Sequence, residues 1–269
     1  MELSSVIQIT FNSRGLANLP TEGGGRVAPV LFRSDALASL TPAGIQALAD
    51  LGIGTVIDLR TDAERARAAD VLPEDGSVVF VPLPVLGGAM DEMVQHLLPA
   101  SGATASPTPE QLAAAVEQVP TLPELYTSIL ENSAAQFVAL ARAVIAAAPT
   151  ERPGVLFHCT AGKDRTGLAA ALLLSVAGVA RDRIVADYTK TEANLAGPFA
   201  QQLKGLITSI GMPLTPRLET LATKSPAEAI EAALDWVAAE HGDAHGYLAS
   251  GGLSGAETDE LRRALVSQG

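Results

Sequence analysis

A single cysteine precedes an arginine by six positions near the middle of this sequence, in the run His158-Cys159-Thr160-Ala161-Gly162-Lys163-Asp164-Arg165-Thr166-Gly167. A thiol is a poor nucleophile until it ionises, and its reference pKa of about 8.5 falls at a helix N-terminus beside a fixed cation. The apolar residues before His158 predict a strand, and Leu168 begins an apolar helix. Cys159 is therefore predicted to be a thiolate near neutral pH, between a strand end and a helix start.

The five residues between Cys159 and Arg165 are enough for the loop to curl, so that successive backbone N–H groups point inward and bind an anion. Gly162 can adopt backbone angles that a side chain forbids. The guanidinium of Arg165 can bind two phosphate oxygens as a fork, more tightly as charge develops in the transition state. The pattern predicts a pocket for a tetrahedral dianion, with these substrate-binding residues: Thr160, Ala161, Gly162, Lys163 and Thr166.

Two residues at the end of the motif have predicted supporting roles. Thr166 can hydrogen-bond the sulfur and assist turnover of a phosphoenzyme, and Gly167 lets the helix pack closely against the sheet. The alternative is that Cys159 is a buried core thiol, because free cysteine is among the most buried residue types. The six motif positions His158, Cys159, Gly162, Arg165, Thr166 and Gly167 have joint chance odds below roughly 10⁻⁷ per start position, which favours a reactive site.

A proton donor helps to expel the leaving oxygen from phosphorus, and three acids are candidates for this role. Asp164 lies in the motif and is the first choice. Its alternative role is to tie the loop down by pairing with Lys163 or Arg165. Asp91 and Glu92 could instead reach the site by movement of the segment that carries them. Their alternative role is the solvated start of a helix, where acids are common.

Three basic residues close to the motif each have a predicted role. Lys163 is a cation beside the anion pocket, which favours substrates with a second phosphate, such as inositol lipids; its alternative is a surface charge that offsets Asp164. His158 is predicted to be buried and to orient the loop by hydrogen bonds rather than act as a base. Arg60 is predicted to form a structural salt bridge with Glu64 or Asp58, with contact to the site as the alternative.

No metal and no cofactor are predicted. His241 and His245 have a spacing that could bind a metal, but Gly242 interrupts the helix between them. Gly162-Lys163 is followed by an acid and lacks the earlier glycine of a nucleotide-binding loop. Phosphoryl transfer to a cysteine is covalent catalysis by a side chain, so the predicted reaction needs only the chain's own residues.

The elements that must position the motif alternate between strand and helix. Strands are predicted at 26–33, 55–60, 77–81 and 155–157. Helices are predicted at 41–51, 61–69 and 133–148, and from 168 onward nearly everything is predicted to be helical, with breaks at 197–198, 211–213, 224–226 and 251–252. Thr41-Pro42, and Thr61 with Glu64, are typical of helix starts. The alternation predicts an α/β fold in which helices flank a central, mostly parallel sheet.

Length and composition predict a single domain over 1–269. The chain has 269 residues, 48% hydrophobic and 18% charged, which excludes a disordered chain and a membrane protein. A lid or insertion is predicted at 84–123, where Gly, Ser, Thr and Pro are frequent. The 18 basic and 30 acidic residues give a net charge of −12, which argues against nucleic acid or an anionic membrane as partner. No spanning helix or export signal is predicted, so a cytoplasmic location is expected, and the oligomeric state is left open.

The motif resembles the signature loop of the cysteine-dependent protein tyrosine phosphatases, and more narrowly that of their atypical bacterial group. The resemblance covers almost the whole chain through four further segments: Leu31-Phe32-Arg33-Ser34, Val56-Ile57-Asp58-Leu59-Arg60 with Glu64, Ala186-Asp187-Tyr188 and Gly246-Tyr247-Leu248. It implies a phosphatase-like α/β domain with a helical lid and activity on phosphotyrosine, with phosphoserine, phosphothreonine and phosphoinositides as candidate substrates. The sequence departs from the group's pattern in two places that lack an expected acid: Phe11-Asn12-Ser13-Arg14-Gly15 and Pro84-Val85-Leu86-Gly87.

The predicted function is a two-step phosphatase reaction on a phosphorylated protein or phosphoinositide, through a cysteinyl phosphate. A phosphate-binding module of the same fold is the alternative; it would keep Arg165 and the loop but show no hydrolysis dependent on Cys159. Sulfur transfer usually lacks this Cys-to-Arg spacing, and arsenate reduction generally needs further cysteines. The spacing therefore disfavours sulfur transfer, and arsenate reduction is disfavoured because the chain has one cysteine.

Overall fold

The computed structural model describes residues 6–7, 10–86, 119–209 and 215–267. Its central five-stranded sheet has the order β1-β3-β6-β4-β5, and β2 pairs with β7 in a separate two-stranded sheet. The strands are β1 Arg14–Gly15, β2 Arg26–Val27, β3 Leu31–Ser34, β4 Ile53–Asp58, β5 Val79–Pro82, β6 Gly154–His158 and β7 Val266–Ser267. In the central sheet β3, β6, β4 and β5 are parallel and β1 is antiparallel to β3, so the predicted fold class is confirmed.

The described helices lie on both faces of the sheet, which is how parallel strands are covered. Before β6 they are α1 Pro42–Asp50, α2 Asp62–Arg67, α3 Leu122–Asn132 and α4 Ala134–Ala147. After β6 they are α5 Asp164–Val176, α6 Arg181–Leu195, α7 Pro198–Ser209, α8 Pro216–Thr223, α9 Ala227–His241, α10 Ala244–Ser250 and α11 Gly255–Leu265. The long helical C-terminal part agrees with the expectation from the sequence.

Successive residues of β3, β4 and β6 enter two different cores, because side chains alternate across a sheet. On β4, Val56 packs in the smaller core with Leu48 of α1, whereas Ile57 packs in the larger core beneath α4 and α5. On β6, Leu156 and Phe157 divide in the same way. Burial on both faces explains why these strands are apolar runs rather than alternating ones.

One strand is shorter than its predicted range. The segment predicted as a strand at 26–33 divides into β2 and β3, with Pro29 between them. Proline has no backbone N–H to donate to a ladder, so it separates the two pairings. The missed β1 has only two residues, Arg14 and Gly15, which is too short for a periodic pattern.

The predicted helix starts are confirmed. Thr41 accepts a hydrogen bond from the N–H of Gly44, with Pro42 in the first turn of α1. Thr61 and Glu64 form the expected capping box at the start of α2. Such caps satisfy N–H groups that have no partner within the helix, and each contributes about 1 kcal/mol.

The register of the sheet brings three strand ends together. His158 at the end of β6 lies opposite Ser34 of β3 and Asp58 of β4. Parallel strands expose their carboxyl ends at one edge, which is where open α/β sheets bind ligands. The motif of the sequence therefore begins at the functional edge of the sheet.

Most of the predicted insertion at 84–123 lies outside the described residues, which resume at Val119 before α3. The predicted break at 211–213 lies outside them too. Among the described residues no single helix is long and apolar enough to span a membrane; α3 and α4, bent by 73° to each other, have the length and composition only as a pair.

Candidate active site

Cys159 follows the last residue of β6, and Arg165 lies in the first turn of α5, so residues 159–163 form a loop between strand end and helix start. Both side chains are buried, with 2% of each residue exposed. The N-terminus of α5 has no side-chain cap among the described residues. Its first N–H groups and its dipole favour an anion at this end. The geometry agrees with the predicted strand, loop and helix.

The carbonyl groups of the loop are held from behind. The N–H of Ala36 donates to the carbonyl of Thr160 at 3.1 Å. The amide of Asn12 donates to the carbonyls of Ala161 and Gly162, at 3.1 and 2.9 Å. All peptide bonds described are trans, so the next N–H after each carbonyl points to the opposite side. The N–H groups of residues 161, 162 and 163 therefore face away from these donors, as an anion-binding loop requires.

Gly162 has the backbone conformation that the sequence predicted for it. Its φ is +64°, in the left-handed region. A Cβ at this position would lie 2.3 Å from the carbonyl oxygen of Ser34. Both the angle and the close approach to β3 exclude a side chain, so Gly162 sets the path of the loop.

Arg165 is fixed by the carboxylate of Glu64, for which the sequence predicted a helix cap and a salt bridge with Arg60 instead. The two guanidinium nitrogens Nη1 and Nη2 donate to the two oxygens of Glu64, each at 2.7 Å. Thr160 also donates to Glu64, at 2.5 Å. Burial alone would raise the pKa of Glu64, but the hydrogen bonds and charge of Arg165 outweigh it and lower that pKa to about 2. Glu64 is therefore ionised and holds the fork in one orientation.

A second ion pair supports the back of the loop. Arg33 donates to the carbonyl of Gly162 at 2.8 Å and to Asp187 of α6 at 2.7 Å. Arg14 of β1 donates to the other oxygen of Asp187, also at 2.7 Å. Burial would raise the pKa of Asp187, but the two guanidinium groups lower it to about 2. Two cations thus share one buried carboxylate behind the loop.

Asp164, the first choice for the proton donor, is 7% exposed at the start of α5. It accepts a hydrogen bond from the hydroxyl of Tyr126 at 2.8 Å, and Tyr126 in turn contacts the hydroxyl of Tyr188 at 2.6 Å. Lys163 pairs with the same oxygen at 3.1 Å. The carboxyl is thus held in place, as its alternative role also predicted. Asp91 and Glu92 lie outside the described residues.

Lys163 offsets the charge of Asp164, as its alternative role predicted, but it lies in the interior rather than on the surface. Only 1% of Lys163 is exposed, so its charge does not lie on the surface. Its ammonium donates to the carbonyls of Leu221 and Lys224, at 2.7 and 3.1 Å, at the end of α8. These two carbonyls and the carboxylate of Asp164 are three acceptors around the ammonium. The side chain of Lys163 therefore directs no donor toward a second phosphate. The backbone N–H of Lys163 remains a predicted contact for the substrate.

Thr166 also departs from expectation. Its hydroxyl is buried, and among the described residues it has no hydrogen-bond partner, the sulfur of Cys159 included. Gly167 approaches α6 most closely, because a Cβ there would lie 3.0 Å from the ring of Tyr188, whereas Nη2 of Arg33 in β3 would be 3.8 Å away. The sequence correctly predicted that a small residue is needed at this position, but it did not indicate Tyr188 as the nearest neighbour.

His158 is fully buried, as predicted. Arg60 forms the predicted salt bridge with Asp58, at 2.8 Å, and a second one with Asp70 at the same distance. Glu64 was its other predicted partner, but it binds Arg165 instead. A carboxylate oxygen of Asp70 lies 3.0 Å from Nε2 of His158. These groups form a buried charged cluster behind the loop.

Sequence reasoning missed several residues that position the site. Asn12 and Glu64 contact the loop itself, whereas Asp70 and Tyr126 contact the residues on either side of it, His158 and Asp164. The sequence connected Glu64 only with a helix cap and with Arg60, and Asn12 lies in a segment where the chain departs from the family's pattern. Nothing near Asp70 or Tyr126 marks them, because their partners lie 88 and 38 positions away.

Comparisons with known proteins agree with this geometry. A sequence model of the tyrosine phosphatase family matches residues 6–267. A protein of Cupriavidus necator named as a tyrosine-protein phosphatase is 33% identical over 222 residues, which are 79% of this chain and 72% of that protein. The triple specificity protein phosphatase PtpB of Mycobacterium tuberculosis is 32% identical over 253 residues, 88% of this chain and 90% of that one.

Two further similarities cover less of the chain. A tyrosine-protein phosphatase of Nostoc commune is 34% identical over 170 residues, 63% of this chain and 51% of that protein. The crystal structure of TpbA from P. aeruginosa aligns with 72% of this chain and 85% of that one, at 18% identity and a TM-score of 0.28. The family match spans nearly every residue, so this chain belongs to the tyrosine phosphatase family.

Proposed function

We propose that this phosphatase hydrolyses phosphotyrosine through a cysteinyl phosphate, with Cys159 as nucleophile and Arg165 as the group that binds the phosphate. The observation that carries the proposal is the loop between them. Its carbonyls accept hydrogen bonds from Ala36, Asn12 and Arg33, so its N–H groups point the other way. Inward N–H groups, a helix N-terminus and a guanidinium together suit a dianion.

In the first step the sulfur of Cys159 attacks phosphorus, an S–P bond forms, and the P–O bond to the tyrosyl oxygen breaks. The leaving oxygen takes a proton from Asp164. In the second step a water oxygen attacks phosphorus, Asp164 takes a proton from that water, and sulfur leaves as a thiolate with inorganic phosphate. Throughout, the loop N–H groups and Arg165 stabilise the charge on the non-bridging oxygens.

The assignment of Asp164 as acid and base is supported by its position. It follows the loop directly, and Tyr126 and Lys163 hold one of its oxygens. The rival donors Asp91 and Glu92 lie in the predicted insertion. Expelling an alkyl oxygen depends more on the proton donor than expelling an aryl oxygen, because the alkoxide is the more basic leaving group.

We extend the proposal to phosphoserine, phosphothreonine and phosphoinositides as substrates. The M. tuberculosis relative that aligns over 90% of its length is named a triple specificity phosphatase. The side chain of Lys163 is engaged by carbonyls of α8, so recognition of a second phosphate would use other groups. Protein and lipid substrates share the phosphate monoester that the loop would bind.

The test is hydrolysis of a chromogenic aryl phosphate, and of panels of phosphopeptides and phosphoinositides, by wild type and Cys159→Ser. Release of phosphate by wild type and its loss by more than about 10³-fold in Cys159→Ser are expected. Binding without hydrolysis would identify a silent phosphate-binding module. Asp164→Asn, compared with Asp91→Asn and Glu92→Gln, identifies the donor as the variant whose loss is larger on alkyl than on aryl phosphates.

A further inference from the structure

Asn12 lies just before β1 with none of its surface exposed, and it contacts a loop about 150 positions further along the chain. Its side-chain nitrogen Nδ2 donates to the carbonyl oxygens of Ala161 and Gly162, at 3.1 and 2.9 Å. A carboxamide nitrogen has two N–H donors. Asn12 therefore uses both of its side-chain donors on the loop between Cys159 and Arg165.

The groups on the other side of the amide fix its orientation. The oxygen Oδ1 accepts from Nη1 of Arg14 at 2.5 Å and from the amide of Asn194 in α6 at 3.1 Å. A guanidinium only donates and a carbonyl oxygen only accepts, so an inverted amide would face donors with donors and acceptors with acceptors. The backbone N–H of Asn12 donates to the buried carboxyl of Asp35 at 2.9 Å. The amide is thus held in one orientation from three directions.

The two loop carbonyls do not depend on Asn12 equally. The carbonyl of Gly162 also accepts from Arg33 at 2.8 Å. In the part of the chain that the structure describes, the carbonyl of Ala161 accepts from Asn12 alone. The peptide bond that follows is trans, so its C=O and its N–H point in opposite directions. Asn12 therefore sets the direction of the N–H of Gly162, at the centre of the five-residue loop.

Other side chains at this position do not reproduce these contacts. Aspartate has the same shape but no donor, so it would set a carboxylate against both loop carbonyls. Alanine would leave the buried carbonyl of Ala161 without a donor, which is the costly way to lose a hydrogen bond. The peptide can then rotate to find another partner, because glycine at 162 permits backbone angles that other residues avoid. Rotation of that peptide carries its N–H away from the anion site.

We propose that Asn12 is a positioning residue of the phosphate site, whose amide turns the peptide between Ala161 and Gly162 so that the N–H of Gly162 faces the phosphate. The inference rests on the proposed function, in which the loop N–H groups bind the non-bridging oxygens. In the contacts described, Asn12 touches neither Cys159 nor Arg165, and it acts through the backbone of the loop. Its effect is therefore expected in anion binding as well as in the rate of the reaction.

The first test compares wild type with Asn12→Asp and Asn12→Ala in two measurements. Isothermal titration calorimetry gives the dissociation constant of tungstate, a tetrahedral dianion, and steady-state kinetics give kcat and KM for an aryl phosphate. Loss of one hydrogen bond to a charged group predicts roughly 10- to 100-fold weaker tungstate binding in both variants. KM should rise and kcat should fall, because the N–H of Gly162 contacts the phosphate before and during the reaction. Asn12→Ala introduces no charge, so it separates loss of the donors from repulsion by a carboxylate.

A purely structural role of Asn12 predicts a different result. Less folded enzyme lowers the apparent kcat but leaves KM, and the tungstate affinity of the folded protein, unchanged. Thermal unfolding measures the folded fraction at the assay temperature. The exposed Asn132 supplies the matched control, because its amide donates to a carbonyl within α3, and Asn132→Asp should leave all constants unchanged. Wild-type KM and tungstate affinity in folded Asn12→Ala would overturn the proposal.

The second test observes the peptide itself by NMR in wild type. Labelling alanine carbonyls with 13C and glycine nitrogens with 15N selects the four Ala–Gly peptides of the chain, at 43–44, 161–162, 177–178 and 196–197. The signal of 161–162 is assigned by its loss in Ala161→Ser. Saturating tungstate should shift this signal and leave the other three in place. Bound tungstate without that shift would overturn the proposal, whether or not the Asn12 variants fold.

Failure of the proposed function gives a separate result. Wild type that binds tungstate but releases no phosphate from an aryl phosphate would overturn the proposed hydrolysis, while calorimetry and NMR would still decide the role of Asn12. Wild type that hydrolyses the aryl phosphate, with unchanged constants in folded Asn12→Ala, would overturn only the role of Asn12.

Discussion

Glu64 sets the orientation of Arg165, the residue proposed to bind phosphate. Its two oxygens receive both terminal nitrogens of Arg165, and its charge is retained because the pKa is about 2. Paired hydrogen bonds between a guanidinium and a carboxylate are strong and also fix the geometry of both groups. Any substitution that keeps the size of the side chain but removes the charge therefore tests orientation rather than packing.

We predict that Glu64→Gln lowers kcat/KM for an aryl phosphate by roughly 10- to 100-fold, about 1.5–3 kcal/mol, the range for a hydrogen bond to a charged group. The loss should appear in kcat as well as in KM, because a disoriented Arg165 no longer stabilises the charge that develops in the transition state. Steady-state kinetics at pH 6 measure the effect. Glu219→Gln removes a carboxylate from an exposed pair with Lys204 and should leave both constants unchanged. Equal effects of the two substitutions would contradict the role given to Glu64.

At the level of elements, the loop depends on how closely it can approach β3. Gly162 lies where a Cβ would be 2.3 Å from a backbone oxygen of Ser34, and backbone cannot move aside as a side chain end can. The left-handed φ of +64° adds a separate strain for any other residue.

Gly162→Ala is therefore predicted to abolish aryl phosphate hydrolysis, by about 10³-fold or more, because the loop N–H groups no longer converge. Gly197→Ala is the matched control. Gly197 has a φ of +82° but nothing within 4 Å of its Cβ position, so only the backbone strain of about 1 kcal/mol is expected there. Activity assays together with thermal unfolding separate the two effects. Similar activity losses in both variants would show that strain, and not the approach to β3, governs the loop.

The helix starts at Thr41 and Thr61 could be predicted because their signals lie within three or four residues of chain. The division of 26–33 into two strands, and the two-residue β1, could not be predicted, because each depends on which distant segment offers a pairing edge. Strand pairing is decided by register and by neighbours far along the chain, which no short window contains.

At the level of the whole molecule, Asp187 joins the helical C-terminal part to the sheet. It binds Arg14 of β1 and Arg33 of β3, more than 150 positions away in each case, and 6% of its side chain is exposed. Removing the carboxylate leaves two guanidinium groups buried side by side, which is the costly way to break an ion pair.

We predict that Asp187→Asn lowers the free energy of unfolding at pH 7 by about 3–5 kcal/mol. The pKa of Asp187 is lowered from 3.8 to about 2, so its stabilising contribution is complete above about pH 4. It is lost as pH falls from 4 toward 2. Urea unfolding at several pH values should therefore show the gap between wild type and Asp187→Asn narrowing by about 2 kcal/mol over that range.

The exposed Asp182 on the same helix provides the control for this experiment. Asp182→Asn should change stability by less than about 0.5 kcal/mol at either pH, as is usual for surface substitutions. A gap between wild type and Asp187→Asn that stays constant from pH 7 to pH 2 would contradict the assigned ionisation.

The order of residues alone predicted the nucleophile Cys159 and the arginine six positions later, and it determined the glycine of the loop and the α/β alternation. Each of these depends on spacing within a few residues or on the periodicity of one element, which any chain segment carries with it. Only the tertiary structure decided that Lys163 points to α8, that Glu64 holds Arg165, and that Asp70 faces His158. These contacts join groups that are 58 to 101 positions apart in the sequence. A buried charge needs a partner, and the register of the sheet and the packing of the helices determine which group lies within 3 Å of it.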